Sequence, residues 1–184
     1  MAPQQSACPL GGSRFMMLVF RCTAKLLKEL ALRPDQLGKD DPEGFLGSWF
    51  SHLHRIERRK CIQFTNSKTL YSFFVVGVVK RSFERFSDTF FEHLAANMIS
   101  EGFHEADLER IFAESAPVVY SRTNSRSVLG SMNDLAYQAE VDIHASGGLE
   151  SCNLLWLNRR LNRVPMSAIG NKYAIDIMKA ELGS

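Results

Sequence analysis

The stretch CIQFTNSKTLYSFFVVGVV, Cys61 to Val79, limits the fold more than any other part of the chain. Cys61, Ile62 and Phe64 precede the polar turn Asn66-Ser67-Lys68, and the run from Leu70 to Val79 follows it. Asn tolerates the left-handed conformation that a tight hairpin needs. The second run is rich in Phe and Val without alternation, as in a strand buried on both faces. A hairpin containing such a strand needs partner strands and helices above and below it. The 184 residues, 13 of them Phe, are enough to supply one such domain with a sizeable core.

The flanking segments supply those parts. Phe15 to Cys22 reads as a buried strand, followed by a helix from Ala24 to Leu32 that Pro34 stops. A polar connection covers Asp35 to Glu43, and the spacing of Leu46, Trp49, Phe50 and Leu53 predicts a short helix to Ile56. From Ser82, residues Phe83, Phe86, Phe90, Leu94 and Met98 form one helical stripe, and Gly102 ends it. An acidic helix follows from Glu105 to Glu114, then Pro117 and a strand over Val118 to Arg122. Val128, Met132, Leu135, Ala139 and Ile143 form another stripe, ending at Gly147-Gly148. Leu149–Arg163 and Lys172–Leu182 are the last predicted helices. The class is α+β: a small, mainly antiparallel sheet, in a split βαβ or ferredoxin-like arrangement, with a C-terminal helical layer over about 125–182.

Residues 1–14 read as a disordered leader, with the single domain over 15–184. FMMLVF is too short for a signal core or a membrane span, and Met16 or Met17 offers a second start. No cysteine pair has C-x-x-C spacing, and Cys22 and Cys61 border apolar runs as buried thiols would, which fits a reducing cytoplasm. A net charge of +2 excludes a polycation, so nucleic-acid binding would need a local patch.

The densest polar stretch is TNSRSVLGSMNDLAY, Thr123 to Tyr137, where a strand gives way to a helix. Ser125 suits the N-cap. Free backbone N–H groups at such a helix start favour anions. Asn124, Ser125, Arg126, Ser127, Asn133 and Asp134 are the candidate ligand-binding residues, with Gly130 allowing close approach. The tripeptide TNS recurs at Thr65-Asn66-Ser67, also after a strand and before a basic residue, which adds Asn66 and Lys68. Two basic segments, HLHRIERRK and LNRRLNR, supply an outer rim of Arg58, Arg59, Arg160 and Arg163, with Trp156 on the helical face of Arg160 and Arg163. Aromatic and basic groups together hold nucleic acids by stacking and phosphate contacts. Simple capping and solvated charge are the competing explanation for both features.

His52 and His54 would face one way on a strand but diverge on the predicted helix. No metal site and no cofactor is expected. There is no G-x-S-x-G, P-loop or G-x-G-x-x-G motif, and no catalytic residues are identified.

FRCTAKLLKEL, the WF…RRKCIQFTNSKTLYSF block, TNSRSVLGSMNDLAY and LNRRLNRVPMSAIG resemble a family of small bacterial proteins defined only as a domain of unknown function. The likeness runs from Met17 to about Leu182 and implies a bacterial, soluble, single-domain protein. It brings no catalytic residues with it. The expected function is a cytoplasmic binding module with an anion-accepting site, for nucleic-acid phosphate or a phosphorylated small molecule. The alternatives are an enzyme acting on a phosphate-containing substrate, with Arg126 stabilising charge and Asp134 or a histidine moving protons, and a protein-interaction domain using its C-terminal helices.

Overall fold

The computed structural model describes residues 17–38, 43–113 and 117–183. The expected leader lies outside the described residues. Strand β1 (Leu18–Cys22) leads through α1 (Ala24–Glu29) to β2 (Trp49–Ile56), and β3 (Arg59–Asn66) and β4 (Ser72–Val76) follow by hairpins. Next come α2 (Lys80–Glu84), α3 (Phe86–Glu101), α4 (Glu105–Ala113) and β5 (Val118–Arg122). The chain ends with α5 (Arg126–Ala145), α6 (Leu154–Leu161), the two-residue strands β6 (Pro165–Met166) and β7 (Lys172–Tyr173), and α7 (Ala174–Leu182).

The five main strands form one sheet in the order β4-β3-β2-β1-β5. β1 pairs in parallel with both β2 and β5, whereas β2–β3 and β3–β4 are antiparallel. The class is α+β with helices over the C-terminal part. The sheet is mixed rather than mainly antiparallel. Because β1 and β2 are direct neighbours, it does not follow the split βαβ, ferredoxin-like order.

Side chains alternate between the sheet's two faces. Phe20, Trp49, Leu53, Ile62, Phe64 and Phe73 pack with α1, α3, α4 and α7, with Phe90 at the centre of the aromatic contacts. Phe50, Cys61 and Phe74 pack on the other face against the α5 stripe and Leu157 and Leu161 of α6. Helices therefore cover both faces. This explains why β4 lacks alternation, and it explains the main correction. Residues 49–56 form β2 and not a helix. Trp49 and Leu53 serve one core and Phe50 the other, so a strand buried on both sides imitates helical spacing.

Smaller corrections follow the backbone. β2 turns into β3 at Glu57-Arg58, both with positive φ (47° and 67°), a hairpin turn hidden inside the basic segment. The helix expected from Ser82 starts at Lys80 and breaks at Arg85 into α2 and α3. Gly102 closes α3 with φ 82°, the conformation for which glycine carries no Cβ penalty. The helix expected at Leu149 starts only at Leu154, capped by Asn153, and Lys172 and Tyr173 belong to β7.

Candidate functional site

The start of α5 is capped as the sequence implies, with Ser125 Oγ accepting from the Val128 N–H at 3.3 Å. α1 and α5 leave the adjacent parallel strands β1 and β5 toward opposite faces of the sheet. A crevice outside the carboxyl ends of such strands is where open sheets tend to bind ligands. Here it holds about 380 Å³, lined by residues that include Arg21, Gly38, Ser121, Arg122, Thr123 and Asn124. Arg21 is buried and already committed to Glu43 (2.8 Å) and Ser48 (3.2 Å). Of the residues nominated in this stretch, only Asn124 lines the crevice. Arg126, Ser127, Asn133 and Asp134 are exposed along α5 and are not part of its lining. Among the described residues nothing lies within 4 Å of a Cβ placed on Gly130.

The first TNS turn has a different role. Asn66 is fully buried. Its Nδ2 donates to Leu46 O, and its Oδ1 accepts from Lys68 N, Thr69 N and Thr69 Oγ1 at 3.0–3.1 Å. Lys68 Nζ donates to Phe45 O. β3 runs opposite to β2, and β2 and β5 both run parallel to β1, so the two TNS turns leave their strands in opposite directions, with two strands between them, and the first supplies no residue to the crevice. They do not form a shared site.

LNRRLNR divides its residues between two tasks. Leu157 and Leu161 enter the core. Asn158 and Asn162, one helical turn apart, face the free edge of β4. Asn162 accepts from Ser72 N at 2.7 Å and donates to Ser72 O at 2.9 Å. Asn158 accepts from Phe74 N at 2.9 Å and donates to Phe74 O and to Asn97 Oδ1. The two amides satisfy backbone groups that a further strand would otherwise pair, sealing an edge open to wrong association.

The arginines of the same segment point outward. Arg159, Arg160 and Arg163 line a groove of about 540 Å³ with Trp156, Gln138, Val164 and Pro165. Arg160 Nε donates to Asp142 Oδ2 at 2.7 Å, and Arg163 Nη1 donates to Glu101 Oε1 at 3.0 Å. The side chains of those acids are only 8% and 1% exposed, so they are fixed anchors. Arg159 lies more loosely, its Nε 3.7 Å from Glu101. Asp142 and Glu101 hold these three guanidinium groups, and the Asp176 carboxylate also acts on Arg163. Among the described residues the hydrogen bond of the Arg160 guanidinium to Asp142 is made through Nε and not through its Nη groups. Trp156, 51% exposed, is 5.8 Å from the Arg160 guanidinium carbon.

The sequence placed Arg160, Arg163 and Trp156 on one face. It did not reveal Glu101 or Asp142, which come from α3 and α5 and carry no local signal. The rest of the expected rim lies elsewhere. Arg58 sits in the β2–β3 turn, and Arg59 pairs with Glu150 before α6.

On β2, His52 and His54 do face one way, with ring centroids 4.3 Å apart. His54 Nε2 meets Gln63 Oε1 at 2.9 Å, and Gln63 Nε2 donates to Met132 O of α5 at 3.2 Å. Burial lowers both imidazoles, His52 to about 4 with help from its neighbour, so the pair is neutral at pH 7. Among the described residues no group of three metal-binding side chains occurs. Cys22, Cys61 and Cys152 are buried free thiols whose pKa values burial raises, which disfavours the reactive thiolate. Among the described residues no helix is long and apolar enough to cross a membrane.

Residues 19–177 match the family described as Domain of unknown function (DUF6933), and the chain belongs to that family. No curated protein and no solved structure matches it significantly.

Proposed function

We propose that this protein is a binding module that takes an anionic, phosphate-bearing ligand in the groove of Arg159, Arg160 and Arg163. The observation that carries the reading is the fixing of outward arginines by buried carboxylates. Asp142 holds Arg160 by Nε and leaves its forked Nη pair toward the groove. A guanidinium already positioned loses less entropy on meeting an oxyanion, and its fork matches phosphate geometry. The crevice at Asn124 and Arg122 offers a smaller second polar surface. Among the described residues the groove lining supplies hydrogen-bond donors and an aromatic face, which suits binding.

Trp156 provides its own readout, because Trp49, the other tryptophan, is 1% exposed and shielded from ligand. Titration with inorganic pyrophosphate is expected to change Trp156 emission saturably. Replacing Arg159 and Arg160 by Gln is expected to abolish the change. Unchanged binding in that variant would refute the reading.

One observation favours a second reading. Tyr137 and Val141 of α5 and Leu155 and Trp156 of α6 are all exposed large apolar residues. Trp and Arg on one surface, as Trp156 stands with Arg159, Arg160 and Arg163, are the usual anchors of a protein interface. A protein partner there would compete with the small anion, so pyrophosphate would displace it.

A further inference from the structure

Resting on the anion-binding reading above, we propose that the ligand of the α6 groove is a nucleotide unit, with its phosphate on Arg159 and Arg160 and its base stacked on Trp156. A bare phosphate would use only half of what the groove presents. Trp156 stands half exposed beside the arginines although its ring is among the largest apolar groups in the chain. Val164 and Pro165 add apolar wall next to it, and Gln138, whose Nε2 already donates to Asp142 Oδ1 at 3.3 Å, adds an amide oxygen that can accept. Arg160 lies 5.8 Å from the indole, so a cationic phosphate-binding group and a stacking surface share one site. A nucleotide carries a planar ring and a phosphate on one short frame. A sugar phosphate lacks the ring, and an uncharged aromatic lacks the anion.

The volume, about 540 Å³, lies in the range of small-ligand sites. The same chemistry is offered by a free nucleotide and by one residue of a single strand. Base-on-aromatic stacking tolerates any base, since each has a π face.

The test is equilibrium titration of the full chain with ribose 5-phosphate, adenosine 5′-monophosphate and a six-nucleotide single strand. Stacking predicts that the nucleotide binds roughly tenfold more tightly than ribose 5-phosphate. Trp156→Ala is expected to erase that difference and leave ribose 5-phosphate within about twofold, while Trp156→Phe keeps most of it. The surface position of Trp156 lets the variant fold, and the ligand comparison on the native chain stands without it. If the strand binds more tightly than the mononucleotide and with steeper salt dependence, the unit comes from nucleic acid. Equal or weaker strand binding assigns it to a free nucleotide. Equal affinity for nucleotide and ribose 5-phosphate, unmoved by Trp156→Ala, overturns this inference and leaves the anion reading standing. Binding of none of the three removes both.

Discussion

Replacing Asn162 by Ala tests the sealed sheet edge. In the native chain its amide accepts the Ser72 N–H at 2.7 Å and donates to Ser72 O at 2.9 Å and Asn158 O at 3.0 Å. Ser72 and Asn162 are both essentially inaccessible to solvent. Truncation leaves a donor and an acceptor of β4 unpaired inside the protein. Each costs about 1–3 kcal/mol, so the expected loss is roughly 2–6 kcal/mol, smaller if water enters the space. That is a large part of the roughly 5–15 kcal/mol that stabilises an ordinary domain. Urea unfolding followed by circular dichroism measures it, with a lowered midpoint and an unchanged slope. Asn162→Asp separates the two bonds. It keeps the acceptor, loses the donor and buries a charge beside Ser72 O, so its penalty should shrink as acid protonates the carboxylate. A loss below about 1 kcal/mol for Asn162→Ala would refute the claim that the amide takes the place of a neighbouring strand.

Two further predictions concern the sheet histidines and α5. His52 falls from 6.5 to about 4 through burial and its neighbour His54, so the unfolded chain takes up its proton first. Its contribution is whole above pH 6.5 and is lost as pH falls toward 4, by roughly 2–3 kcal/mol with allowance for partial solvent contact. His52→Gln should flatten that part of the stability–pH curve in urea titrations. Gly130 lies within α5 and a Cβ there meets nothing within 4 Å, so Gly130→Ala should raise stability by about 0.5–1 kcal/mol in thermal unfolding.

What could be read from the sequence was local. The stripe Phe86, Phe90, Leu94 and Met98, the β3–β4 hairpin and the Ser125 cap each depend on neighbours a few residues apart, and each is where the pattern put it. β2 was illegible because its two faces belong to different cores, which removes the alternation that identifies a strand. The pairing of Asn158 and Asn162 with β4 spans 84 and 90 residues, so LNRRLNR looked like a basic run when half of it closes the sheet. Asn66 looked like a ligand-facing turn residue, yet a turn asparagine makes the same residue pattern when its amide holds its own loop. The groove was legible only in its arginines and tryptophan, since the carboxylates that aim them are supplied by tertiary packing.

Diffraction from crystals soaked in tungstate, a heavy mimic of phosphate, tests the anion site most directly. An anomalous peak within hydrogen-bonding distance of the Arg159 and Arg160 guanidinium groups, absent when both are Gln, is the result expected. A groove left empty while the ion occupies other positions would contradict it.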